Sequence, residues 1–147
     1  MNVKKLLFGA IILLIVGVIS LVGNRGGNKE IDNAKLTVER LYDNIQASNY
    51  SQAAGLFSDS FYSIVPRNTF ASMLMKSSRD RGSLNDYEKY VFERSFEGEG
   101  TPPSTIVVLE YIVTYSNERM FEHFVLEKEH GSDQYRINEY RVTPYFN

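Results

Sequence analysis

The sequence predicts an α+β fold: an N-terminal transmembrane helix, then about three helices packed on a curved four-stranded antiparallel sheet. Three observations carry this expectation. Residues Thr105 to Tyr115 read Thr-Ile-Val-Val-Leu-Glu-Tyr-Ile-Val-Thr-Tyr, without glycine or proline. Such β-branched, aromatic and apolar side chains fit a pleated, buried surface, so this run is the central strand. Apolar residues recur at helical spacing in the segments before Gly82, and the period changes to two from Leu84 onward. Helices first and strands second imply helices on one face of an antiparallel sheet. Ahead of both lies an uncharged run, Leu6 to Val22.

That run follows Lys4-Lys5 and has only Gly9, Gly17 and Ser20 as weakly polar breaks. As a helix it would span about 26 Å, just short of a typical hydrocarbon core. The competing reading is a cleaved secretory signal, but the run is longer than the usual apolar region and no Ala-x-Ala site follows it. Leu21-Val22-Gly23-Asn24 has the shape of a lipoprotein processing box with asparagine where the cysteine must stand, so lipid attachment there is excluded. The lysine pair favours a cytoplasmic N-terminus and an exported C-terminal part. The expected division is an anchor or signal over 1–23, a glycine linker over 24–29, and one domain over 30–147. Of the 147 residues, about 115 remain for that domain, enough for a real core.

Ile31, Ala34, Val38, Leu41, Tyr42 and Ile45 recur at helical spacing, with Glu39, Arg40, Asp43 and Asn44 opposite them. This predicts an amphipathic helix from about Glu30 to Ala47. Ser48-Asn49 ends it, and Asn49 is placed to cap a short helix from Tyr50 to Phe57. Ser58-Asp59-Ser60 is a further cap or turn. After Pro66 a third helix is expected from about Asn68 to Arg79, with Phe70, Met73 and Leu74 as a narrow stripe and Arg81-Gly82 as its stop. Strands are then expected over about Tyr87 to Glu97, the central run from Thr105, Met120 to Glu129, and Gln134 to Val142. In the central strand Val107, Leu109, Tyr111, Val113 and Tyr115 form one clean face. Ile106, Val108, Glu110, Ile112 and Thr114 form a more interrupted one, and neighbours are expected to cover both.

The stretch Ala-Ser-Asn-Tyr-Ser-Gln-Ala-Ala-Gly-Leu-Phe-Ser at 47–58 resembles the opening of nuclear transport factor 2-like domains. The alternation in Tyr-Ile-Val-Thr-Tyr (111–115), Phe-Val-Leu-Glu-Lys (124–128) and Tyr-Arg-Ile-Asn-Glu-Tyr (135–140) is similar to that family too. The resemblance covers about Glu30 to Thr143. It implies a cystatin-like, cone-shaped fold of the kind found in small bacterial extracytoplasmic domains, and implies no reaction.

Composition narrows the chemistry. The chain has no cysteine, which excludes disulfides, thiolate metal sites and cysteine nucleophiles. The formal net charge is −2; without Lys4, Lys5 and Arg25 the remainder carries 13 basic and 18 acidic residues, a net of −5. A domain of that sign has no attraction for nucleic acid phosphates. No Gly-x-Ser-x-Gly elbow or glycine-rich phosphate loop occurs. His123 and His130, with no cysteine and no helical His-x-x-x-His spacing, make no metal site, and no cofactor is implied.

Glu110 is the sharpest polar residue in the pattern, a carboxylate within the apolar strand. Isomerase-like members of the resembling superfamily place acids and tyrosines in the cone. By that resemblance Glu110, Tyr111, Tyr115, Tyr140 and His123 are the candidate pocket residues, with burial raising the Glu110 pKa. The simpler reading puts Glu110 on the less apolar face, solvated or paired with a cross-strand Arg or Lys. The expected function is accordingly a non-catalytic, membrane-tethered binding or assembly domain outside the cytoplasm. It would be held in the cytoplasmic membrane as a single pass through Leu6 to Val22, and would meet a protein partner or a small ligand. The alternatives are a small-molecule-binding or isomerase-like cone with a pocket near Glu110, and a cleaved, secreted domain.

Overall fold

The structure, a computed structural model, describes residues 27–97 and 103–146. The apolar run Leu6 to Val22 lies outside the described residues. Among those described, no helix is long and apolar enough to cross a membrane. The architecture is α+β: helices α1 (Gly27–Gln46), α2 (Tyr50–Ala54), α3 (Asp59–Tyr62) and α4 (Arg67–Arg81) precede strands β1 (Leu84–Glu97), β2 (Thr105–Tyr115), β3 (Arg119–Lys128) and β4 (Tyr135–Pro144). The strands form one antiparallel meander in the order β1-β2-β3-β4.

Helix α1 buries the expected stripe, with Ala34, Val38, Leu41 and Tyr42 inaccessible or nearly so. It crosses one face of the sheet from the β3–β4 hairpin to the start of β1. At the hairpin end Thr37 Oγ1 donates to the Tyr135 carbonyl at 3.1 Å. At the other end the Tyr42 ring lies 4.7 Å from that of Tyr87.

Among the described residues four helices form where about three were expected. The short helix after Asn49 stops at Ala54, and Phe57 leaves it to make a parallel bridge with Ile137. The Ser58 amide donates to the Ile137 carbonyl at 3.0 Å, and the Ile137 amide to the Leu56 carbonyl at 3.0 Å. The outer edge of β4 takes these backbone groups because an unpaired edge is costly to leave buried. Ser58 then caps the additional helix α3, its Oγ accepting from the Phe61 amide at 3.1 Å.

Helix α4 ends at Gly82, where φ is +81° and a Cβ would come 1.9 Å from Ser116 Oγ. Glycine is therefore required twice over, by the backbone conformation and by the close approach of the β2–β3 turn. That turn caps the helix: the Asn117 amide donates to the Arg81 carbonyl and Asn117 Nδ2 to the Asp80 carbonyl, both at 3.1 Å.

The predicted clean face of β2 is the core face: Val107, Leu109, Tyr111, Val113 and Tyr115 are all buried. Cross-strand neighbours Met120, Glu122, Phe124 and Leu126 share it. Both faces were expected to be covered, but the helices pack on this one. On the other, Val108 and Ile112 are still buried, with Val125 and Phe121 as their opposite numbers in β3.

The pairing of β3 with β4 shifts between Val125↔Glu139 and Leu126↔Ile137, leaving Asn138 as an extra residue in β4. A bulge of this kind re-aims the side chains beyond it. Ile137 and Tyr140, three apart in sequence, consequently both lie on the helix side, opposite Leu126 and Phe124.

Candidate functional site

The helix side of the sheet holds a carboxylate in the core. Glu122 alternates with Met120 and Phe124 along β3, so the strand's own period places it there, and it is fully buried. Three tyrosine hydroxyls from three elements converge on it. Tyr42 of α1 and Tyr140 of β4 donate to Oε2 at 3.0 and 2.9 Å. Tyr115 of β2 donates to Oε1 at 2.7 Å. Arg81, at the capped end of α4, brings Nη1 to 3.7 Å from Oε1. Its guanidinium lies 5.6 Å over the Tyr115 ring, and its Nε is 3.6 Å from Glu118.

An ionised carboxylate only accepts hydrogen bonds, and this one is surrounded by donors and a guanidinium. Desolvating a carboxylate costs several kcal/mol, so such a group persists only when its oxygens are satisfied. Burial, reinforced by the charge of Glu122, pushes the Tyr42, Tyr115 and Tyr140 hydroxyls well above their ordinary pKa. Burial alone would lower the Arg81 pKa, but Tyr140, Glu122 and Tyr115 together hold it above its ordinary value. The result is an ordered network locking α1, α4, β2, β3 and β4 together. With both oxygens of Glu122 engaged and the group inaccessible, it offers no approach to a substrate proton.

The candidate pocket residues divide between the two faces. Tyr115 and Tyr140 meet on Glu122. Tyr111 lies on the same face, its ring 6.2 Å from Tyr42 and 5.9 Å from both Tyr87 and Phe124. Burial raises the pKa of its hydroxyl as well. Glu110 and His123 stand together on the opposite face, directly across the β2–β3 pair. His123 Nδ1 lies 2.8 Å from Glu110 Oε1, with the side chains 14% and 21% exposed. Glu110 thus has a cross-strand partner on the less apolar face, a histidine where arginine or lysine was expected.

The Glu110–His123 pair orients one ring nitrogen and leaves the other to its surroundings, the arrangement that prepares a histidine for proton transfer or ligation. Among the described residues no three His, Cys, Asp or Glu side chains are grouped to hold a metal. Two shallow grooves, of about 410 and 780 Å³, flank the β3–β4 hairpin and share Glu127, Lys128 and Glu129. Neither contains Glu110 or Glu122.

Sequence reasoning singled out Glu110 and passed over Glu122. The signal was partial: Met120, Glu122, Phe124 and Leu126 share one period-two face, but Phe121 and Val125 make the other face apolar as well. Arg81, read as part of a helix stop, carried no such signal. No protein-family profile matches the chain, and no curated protein matches it.

Proposed function

We propose that this chain is a membrane-tethered, extracytoplasmic binding or assembly domain without catalysis, built as a nuclear transport factor 2-like cone whose interior is filled. One observation carries the non-catalytic part. The acid and histidine of the candidate pocket are on one face of the sheet, and its tyrosines are on the other. The tyrosine side is occupied by aromatic rings, including Tyr42, Tyr111, Phe124 and Tyr140, and by the saturated Glu122. A carboxylate already held by three hydroxyls and a guanidinium orders a fold; it does not move a proton.

The tether rests on Leu6 to Val22, uncharged and preceded by a lysine pair. Fractionation with a carbonate wash, followed by protease treatment of intact spheroplasts, tests the reading. The expected result is a full-length chain that stays with the membrane and is cleaved from outside. A shorter soluble species would establish the secreted alternative in its place.

A further inference from the structure

The first turn of α1 is fastened to the β3–β4 hairpin. Lys29 Nζ lies 3.7 Å from Asp133 Oδ2. Glu30 Oε1 accepts from Lys128 Nζ at 3.1 Å, and Tyr135 donates to Glu30 Oε2. Lys128 Nζ also lies 3.1 Å from Asp133 Oδ1. The chain therefore enters the domain beside this hairpin and nowhere else. Only residues 23–26 separate the end of the apolar run from Gly27. Four residues reach at most about 14 Å when fully extended. The far end of the domain is well beyond that reach. From Tyr135 to Thr143, β4 alone runs about 26 Å, at roughly 3.3 Å per residue.

We propose that the β3–β4 hairpin, residues 129–134, is held against the lipid headgroups, and that the β2–β3 turn with the end of β4 points away from the bilayer. The inference rests on the membrane-anchor reading of Leu6 to Val22. The hairpin chemistry fits a headgroup surface without insertion. Its residues, Glu129 to Gln134, include no large apolar side chain. Glu129 is paired with Arg136 at 2.9 Å, and Asp133 with Lys29 and Lys128. Charges neutralised within the domain neither drive it into the membrane nor repel it from anionic lipid. The short tether supplies the proximity. Gly131, at φ +74° with open space about it, makes the turn compact.

The absence of native cysteine makes the test direct. His130→Cys and Thr143→Cys are made separately in the full chain, each at an exposed position. Each is labelled with a small fluorophore and reconstituted in phosphatidylcholine–phosphatidylglycerol vesicles carrying a headgroup nitroxide lipid. The expected result is quenching at position 130 several-fold stronger than at position 143, with little change on adding salt. Equal quenching, or stronger quenching at 143, in a chain that resists carbonate would overturn the orientation and leave the anchor standing. Release of the chain by carbonate would defeat the anchor, and this inference with it. Inserting about 20 Gly and Ser residues after Gly26 is expected to abolish the difference. A difference that survived the longer tether would overturn the claim that the tether sets the orientation.

Discussion

The Tyr115 hydroxyl donates to Glu122 Oε1 at 2.7 Å, joining the last residue of β2 to a fully buried carboxylate in β3. This bond brings the charge of Glu122 into contact with the β2–β3 turn that caps α4, and so with Arg81. Layer packing and charge satisfaction meet at that point.

Replacing Glu122 by Gln leaves Arg81 without its buried counter-charge and sets an amide donor against a tyrosine hydroxyl. The expected loss is about 3–5 kcal/mol in urea unfolding, the range for breaking a buried pair from one side. Tyr115→Phe, which removes one donor and keeps the ring, should cost about 1–3 kcal/mol. A loss below about 1 kcal/mol for Glu122→Gln would mean that the carboxylate is not held as described.

Alkaline pH should unfold the protein through the same tyrosines. Their folded pKa values are raised above the ordinary 10.0, by burial first and then by Glu122. Below that value both states hold the phenol proton, and the stability is fully present. Above it the unfolded chain releases protons that the folded chain retains, so stability falls as pH rises. Ultraviolet titration should show Tyr50 ionising early, since the hydroxyls of Ser78 and Ser48 lower its pKa. The Glu122 tyrosines should ionise only with loss of the native circular dichroism. Smooth, reversible ionisation of all ten tyrosines with the fold intact would contradict this.

Gly82→Ala tests the tertiary cap of α4. Alanine pays for a positive φ and meets Ser116 Oγ. A cost above about 1 kcal/mol is expected, more than the gain from stiffening the unfolded chain. Pairing it with Ser116→Gly should recover part of the loss by removing the clash, and the strained φ should account for the remainder. No recovery would show that the close approach is not what demands glycine.

Neighbouring residues of β2 provide an internal contrast. Leu109 is 1% exposed on the helix side, so Leu109→Ala should cost about 2–5 kcal/mol. Glu110 points the other way, partly exposed and paired with His123, so Glu110→Gln should change stability by no more than about 1 kcal/mol. Comparable losses at the two positions would mean that the core lies on both sides of β2.

Alternation along β2 and the helical stripe of α1 were legible in the residues because each is a local pattern. Val107, Leu109, Tyr111, Val113 and Tyr115 share a face in any extended chain, and Ala34, Val38 and Leu41 share one in any helix. Those patterns suffice for the α+β class and for the core side of the central strand. They do not reach the Glu122 network, whose partners Tyr42 and Arg81 come from helices far away in sequence. Nor do they place Tyr140. A regular strand would turn Tyr140 away from Ile137, and only the extra residue at Asn138 returns it to the core side to meet Glu122. The same limit applies to Gly82, which reads as an ordinary helix stop until Ser116 is found against it. Periodicity is set by the backbone within a few residues. The satisfaction of a buried charge is set by which elements pack together, and that is decided only when the whole core closes.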